Sequence, residues 1–187
     1  MNPFAQLISI LVGLYITVIL LRFFLQYFRA DFYNPLSQFV VKATDPLIKP
    51  LRKIIPGFGG IDISSLLLAY LVTIAKFILI SVISGQFVFY PIYTLLISGV
   101  DLVQSILGLF MFLIIIRVIL SWVSPGGYNP VLAVIGQISE PVIAKFRRFL
   151  PPMTGFDFAP MLALIFIFFI QSSLSYYIIP LVRQISW

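Results

Sequence analysis

The chain contains no cysteine and no histidine. Their absence excludes disulfides, thiolate nucleophiles, imidazole bases, Cys/His zinc or Fe–S sites and bis-histidine haem ligation. Charge is scarce too: charged residues make up 10% of the sequence, against about 25% in an ordinary globular domain. A soluble body of 187 residues has too much surface to be covered by so few charges. Apolar residues instead reach 61%. The composition implies a multi-pass membrane protein.

Four apolar stretches, 4–28, 63–83, 92–122 and 158–179, exceed or approach the ~20 helical residues that cross a ~30 Å hydrocarbon core. The first lacks a basic leader and a small-x-small cleavage site, so it reads as a retained anchor rather than a signal peptide. The third is longer than one crossing needs and must tilt or project. Of the 12 basic residues, ten fall in two stretches, each opening near the end of one run and continuing toward the next. Arg22, Arg29, Lys42, Lys49, Arg52 and Lys53 lie in the first; Arg117, Lys145, Arg147 and Arg148 lie in the second. With a net charge of +6 placed in this way, an anionic lipid leaflet is the expected partner, and nucleic acid is not.

An internal repeat organises the chain. A shift of 95 residues lays Arg22 on Arg117, Tyr33-Asn34-Pro35 on Tyr128-Asn129-Pro130, Asp45-Pro46 on Glu140-Pro141 and Arg52-Lys53 on Arg147-Arg148. Pro56 then falls on Pro151, Gly60 on Gly155 and Asp62 on Asp157. No gap is needed from residue 22 to residue 66, and 11 of those 45 positions are identical. The expected fold is an all-α membrane protein: four transmembrane helices in two tandem parallel repeats (1–90 and 91–187 of a single membrane domain), each helix, basic amphipathic cytoplasmic segment, helix. The 84–91 turn and the first terminal stretch carry no Lys or Arg. The positive-inside rule therefore puts both basic segments in the cytoplasm and both termini outside.

Between the crossings, Val131, Val134, Ile135, Ile138, Val142, Phe146, Phe149 and Leu150 recur at helical spacing, as do Leu36, Phe39, Val40, Leu47, Leu51, Ile54 and Ile55. Two placements fit this pattern. The segments lie in the interface plane with Lys42, Lys49, Arg52, Lys53, Lys145, Arg147 and Arg148 at the lipid phosphates, or they pack on the protein's own cytoplasmic face. Pro46 and Pro141 should break each helix, with Thr44-Asp45 and Ser139-Glu140 capping the restart. Phe87, Phe89, Tyr90, Tyr93, Tyr176, Tyr177 and Trp187 mark the outer headgroup level.

These residues together resemble the YggT family of small bacterial membrane proteins, which has cyanobacterial and plastid relatives. The first unit carries Tyr33-Asn34-Pro35-Leu36-Ser37, Thr44-Asp45-Pro46, Pro50-Leu51-Arg52-Lys53, Pro56 and Gly59-Gly60-x-Asp62. The second carries Tyr128-Asn129-Pro130, Glu140-Pro141, Arg147-Arg148-x-x-Pro151, Gly155-x-Asp157 and Ala159-Pro160. Glu140 stands where the pattern has Asp, and Ser64-Ser65 where many members have Ser-Pro. The resemblance implies a bacterial inner-membrane protein linked to osmotic or salt tolerance or to division-protein organisation, and in plastids to cytochrome assembly. It implies no catalytic residues.

Six acids are available: Asp31, Asp45, Asp62, Asp101, Glu140 and Asp157. No pair is marked out as a general acid/base dyad. Gly57-x-Gly59-Gly60 lacks the strand and Lys-Ser/Thr of a phosphate loop. The chain is expected to be no enzyme and to need no cofactor or metal. Two readings remain. One is an organising or assembly factor presenting basic helices to lipid and partners; the other is an oligomeric channel or transporter for small ions or solutes. A homo-oligomer or a membrane protein partner is expected in either case.

Specific pairings follow from helix rise. Arg22 with Asp62, and Arg117 with Asp157, should meet where descending and ascending helices end together; the capping role of each Asp accounts for it even without the Arg. Lys76 lies about 21 Å past Asp62, and Asp101 about 24 Å before Arg117, at ~1.5 Å per residue. Both charges thus share a depth within the spans and should pair. Their repeat mates Gln171 and Gln6 should meet across the other unit boundary, completing a polar intramembrane layer. That layer is either a clasp fixing helix register or the lining of a hydrated ion site.

Overall fold

The structure is a computed structural model, and it describes residues 2–55, 57, 60–85, 90–123, 129–150 and 157–185. It is all-helical: α1 (Pro3–Tyr27), α2 (Pro35–Ile54), α3 (Ile63–Ile83), α4 (Pro91–Val123), α5 (Pro130–Arg147), α6 (Ala159–Ser173), a π-helical turn (Leu174–Ile178) and α7 (Ile179–Ile185). Four spans are long and apolar enough to cross a membrane, namely Pro3–Tyr27, Ile63–Ile83, Pro91–Ser121 and Ala159–Gln184. The last runs beyond the apolar stretch that announced it. Pro180 has no amide to donate and crowds the carbonyl four residues back. The helix widens ahead of it, with the Ile179 N–H bonding the Leu174 carbonyl.

Proline and asparagine set the helix starts. Asn34 and Asn129 are N-caps whose side chains accept from the Leu36 and Val131 amides, with Pro35 and Pro130 in the first turn. This is the work of the Asn-Pro part of the repeated Tyr-Asn-Pro. Tyr128, Pro56, Gly59, Pro151, Gly155, Phe87, Phe89 and Trp187 lie outside the described residues. After α1 the chain turns through Arg29 at φ 52°. The Arg29 N–H bonds Gln26 O and the Ala30 N–H bonds Leu25 O, a Schellman motif with Arg where glycine is usual.

Helices α2 and α5 do not break at proline. Each runs uninterrupted, with Pro46 and Pro50 inside α2 and Pro141 inside α5. Each proline removes the amide that would bond the carbonyl four residues back, at Lys42, Pro46 and Gln137, and the rest of each helix persists. In α2, Arg22 Nη1 donates to Val41 O at 3.2 Å, and the Tyr15 hydroxyl reaches Ala43 O at 3.4 Å. Thr44 and Ser139 therefore cap no restart. Their hydroxyls donate back to Val40 O and Ile135 O within the helix.

Helix α1 packs most extensively on α3 and also on α2 and α4, while α4 packs on α3, α5, α6 and α7. α2 and α5 touch, tied by the Asn34 side chain to Pro130 O and by the Asp31 N–H to Gln137. No contact joins α1 to α6 among the described residues. One core unites the helices: Ile16, Ile19 and Leu20 of α1, Val40 and Ile48 of α2, Ile114 of α4, and Val134, Ile138 and Ile143 of α5. α2 buries Ser37, Val40, Thr44 and Ile48 against the bundle and exposes Phe39, Leu47 and Ile54 beside Lys42, Lys49 and Lys53. α5 divides similarly, with Lys145 and Arg148 exposed.

Candidate functional site

The polar chemistry concentrates at the α2/α5 end of the bundle, in two networks of matching composition. In the first, Arg22 Nη1 donates to Asp45 Oδ1 at 2.8 Å and to the Thr44 hydroxyl at 2.7 Å. Lys49 joins Asp45 from one helical turn on, at 2.8 Å. Asp62 caps α3 through the Ser65 amide and also accepts from the Ser65 hydroxyl and from Arg52, which in turn donates to Gln26. Arg22 Nε stands 4.0 Å from Asp62, at the limit of an ion pair.

The second network places Arg117 on Glu140 and the Ser139 hydroxyl, and Arg147 on Asp157. Each member stands 95 positions after its counterpart: Arg22 and Arg117, Thr44 and Ser139, Asp45 and Glu140, Arg52 and Arg147, Asp62 and Asp157. The bridging contact differs. Glu140 is one methylene longer than Asp45 and reaches Arg147 as well, at 2.5 Å. Burial differs more. Arg22 and Asp62 have side chains 6% and 0% exposed, whereas Arg117 and Asp157 are 27% and 45% exposed. The first network has an enclosed centre, Arg22 and Asp62, and reaches the surface through Lys49 and Arg52, whereas no member of the second network's ion pairs is enclosed.

Of the expected Arg–Asp pairings, Arg22 with Asp62 is present at 4.0 Å but is the longer of two contacts, and Arg117 with Asp157 is replaced. Arg22 takes Asp45 as its nearest carboxylate, and Asp62 takes Arg52. Arg117 pairs with Glu140 and not with Asp157, which Arg147 occupies. The physical reason is position. Residues 45 and 140 face the arginine of α1 and of α4, and residues 52 and 147 sit two turns further on, beside the starts of α3 and α6. Electrostatics follow this geometry. Burial opposes ionisation of Asp62, yet hydrogen bonds from Arg52 and Ser65 hold its pKa below the ordinary carboxylate value. Asp45 is lowered by Lys49 first and then Arg22. Glu140 is lowered by Arg147 and Arg117 against its own burial, and Asp157 by Arg147. The Arg147 guanidinium, beside Asp157 and Glu140, is held charged above its usual range.

Within the spans, Lys76 Nζ lies 2.5 Å from Asp101 Oδ2, joining α3 to α4, and 5.3 Å from the Phe77 ring centroid. Gln6 and Gln171 do not meet. Gln6 is exposed on α1, and α1 makes no contact with α6. Gln171 instead donates to Gln104 O on α4 at 3.3 Å, and Gln104 donates to the Ser175 hydroxyl at 3.0 Å. Gly108 leaves the room: a Cβ there would stand 3.6 Å from Gln171 Nε2. The sequence reading missed Gln104, Ser175 and Gln26. It read Thr44, Asp45, Ser139 and Glu140 as caps, although the 95-residue shift already paired them. Among the described residues no group of three or more acids could hold a metal.

The CCB3/YggT family model matches residues 1–83 and again residues 96–178. The chain belongs to the CCB3/YggT family. Relatives include a Pseudomonas aeruginosa protein 51% identical over 152 residues, covering 81% of this chain and 77% of its own length. A Vibrio alginolyticus protein is 44% identical over 166 residues, 88% of this chain and 89% of the relative. The YggT protein of Escherichia coli K12 is 41% identical over 172 residues, 91% and 88% of the two chains. All three carry names that state no activity. No solved structure matches the chain. Membership of the CCB3/YggT family thus fixes kinship over nearly the whole length and leaves the site chemistry to be argued from the geometry.

Proposed function

We propose that the protein is an organising factor of the bacterial inner membrane, built from two tandem parallel units that present the basic helices α2 and α5 to anionic lipid on the cytoplasmic side. The observation that carries this reading is the outward face of α2. Lys42 and Lys49, the latter paired with Asp45, stand on a cleft of about 580 Å³ that Phe32, Gln38, Val41, Asp45 and Pro46 also line. Exposed Phe39 and Leu47 lie on the same helix, and Lys53 extends the basic row. An amphipathic face with cations above apolar side chains suits a phosphate headgroup over acyl chain. Tandem parallel units are supported by the 95-residue correspondence of both charge networks, by the twofold family match, and by the contact of α2 with α5 at one end.

Two measurements test the proposal. Copurified phosphatidylglycerol should fall when Lys42, Lys49 and Lys53 are changed together to Gln; unchanged lipid retention refutes the lipid-presenting role. Orientation is tested by single-cysteine labelling, which is clean because the chain has no natural cysteine. A cysteine at 147 should label only from the cytoplasm and one at 86, outside the described residues, only from the exterior. A conduit for small ions or solutes is the second reading, favoured by the polar side chains of Gln104, Gln171, Ser172 and Ser175 inside the spans. Protein in sealed liposomes separates the two: an organising factor leaves them ion-tight.

A further inference from the structure

The contact between α3 and α4 is where the first unit meets the second. Its counterpart, α6 against α1, is absent among the described residues. A true twofold would make both, so the operator relating the units is open. Burial records the missing half position by position. On α4, Leu102 and Leu109 are 9% and 3% exposed; their mates on α1, Leu7 and Leu14, are 51% and 60% exposed. On α3, Thr73 is fully buried, while its mate Phe168 on α6 is 64% exposed. Asp101 is held by Lys76, yet its mate Gln6 is exposed and has no side-chain hydrogen bond among the described residues.

Apolar exposure of this kind is ordinary toward lipid. A carboxamide is not, because an amide in hydrocarbon without a partner is costly. In the first unit, α4 packs on both α1 and α3, delivering Asp101 to Lys76. The corresponding site in the second unit, between α4 and α6, is an open cleft of about 620 Å³. Gln104, Phe168, Gln171, Ser172, Ser175 and Tyr176 line it. The π-helical turn at Leu174–Ile178 presents Ser175 and Tyr176 there. Its chemistry is carboxamide and hydroxyl, matched to an incoming carboxamide at the same depth.

We propose that this cleft receives α1 of a second copy of the chain, with Gln6 of that copy meeting Gln171. The protein then associates head to tail, each junction between copies repeating the junction between units within one chain. Continuity with the α3–α4 interface selects a second copy as the occupant. The proposal rests on the tandem reading above. A heterologous contact of this type closes into a ring or extends as a row.

Cysteine crosslinking in native membranes tests it, using differently tagged chains carrying Gln6→Cys or Gln171→Cys. A mixed dimer, disulfide-linked between position 6 of one chain and position 171 of the other, is the expected product. An internal control, Lys76→Cys with Asp101→Cys in one chain, should link within the chain. If the control fails, the template contact and the tandem reading fall, and the proposal with them. If the control links but the mixed pair does not, head-to-tail association alone is refuted. Linkage confined to Gln6→Cys with itself means an isologous dimer and also refutes it. A second measurement recreates the unit junction between copies. Gln6→Asp with Gln171→Lys in one chain should tighten association in detergent by about threefold. An unchanged oligomer distribution counts against the proposal.

Discussion

Replacing Asp62 by Ala removes the most enclosed carboxylate of the described residues, and replacing its counterpart Asp157 makes the same chemical change at the surface. Asp62 has a side chain 0% exposed and Asp157 one 45% exposed. The Asp62 change deletes the cap on the Ser65 amide, worth about 1 kcal/mol. It leaves the Ser65 hydroxyl, itself fully buried, without its acceptor, at about 1–3 kcal/mol. Arg52, with a side chain 39% exposed, can turn to water, so the lost ion pair adds only about 1 kcal/mol. Arg22 retains Asp45 and Thr44. The expected total is about 4 kcal/mol, against about 1–2 kcal/mol for Asp157→Ala, which loses one bond from the Ala159 amide and an exposed pair. Equilibrium unfolding in mixed detergent–SDS micelles reads both values. Equal costs would refute the claim that the centre of one network is enclosed and that of the other superficial. A double-mutant cycle belongs with it: coupling of Arg22 to Asp45 should exceed coupling of Arg22 to Asp62, and the reverse order would overturn the assignment of partners.

Three further outcomes are expected. Lys76→Met alone strands the Asp101 charge within the span at up to about 3 kcal/mol, and adding Asp101→Leu should recover most of that loss in the same unfolding assay. Asp45, Asp62, Glu140 and Asp157 all have pKa values lowered in the folded protein. Their contribution is therefore complete above the unfolded carboxylate values near 4 and is lost as pH falls through the lower folded ones. Unfolding midpoints should be flat from about pH 7 to 5 and drop below about 4, with Asp62→Asn reducing the drop. Arg29→Gly should raise the unfolding midpoint, because the left-handed backbone at φ 52° costs a residue with Cβ roughly 1 kcal/mol that glycine avoids; a lower midpoint would show that the Arg29 side chain matters more than its backbone.

Length, apolar runs and rare polar residues by themselves determine which segments become the long helices. The stretches 63–83 and 92–122 anticipate α3 and α4 within a residue, because ~20 apolar residues admit one solution in a bilayer. The Lys76–Asp101 partnership was legible from helix rise alone, since two helices joined by a short turn keep a common depth. Proline misled the reading of α2 and α5. Each proline removes one bond from a helix that keeps the rest, and α2 is also held by donors distant in sequence, Arg22 on Val41 O and Tyr15 on Ala43 O, contacts that a local rule does not see. Partner choice among the arginines also escaped the sequence. Spacing along one helix says who shares a face, but whether Arg22 meets Asp45 or Asp62 depends on how α1, α2 and α3 are set against one another. The unequal burial of two matching networks is likewise tertiary. Similar residue types at identical spacing carry no sign of which copy lies against a neighbouring helix, and the packing of α4 on α3, unmatched among the described residues by any packing of α6 on α1, gives Asp101 a neighbour that Gln6 lacks.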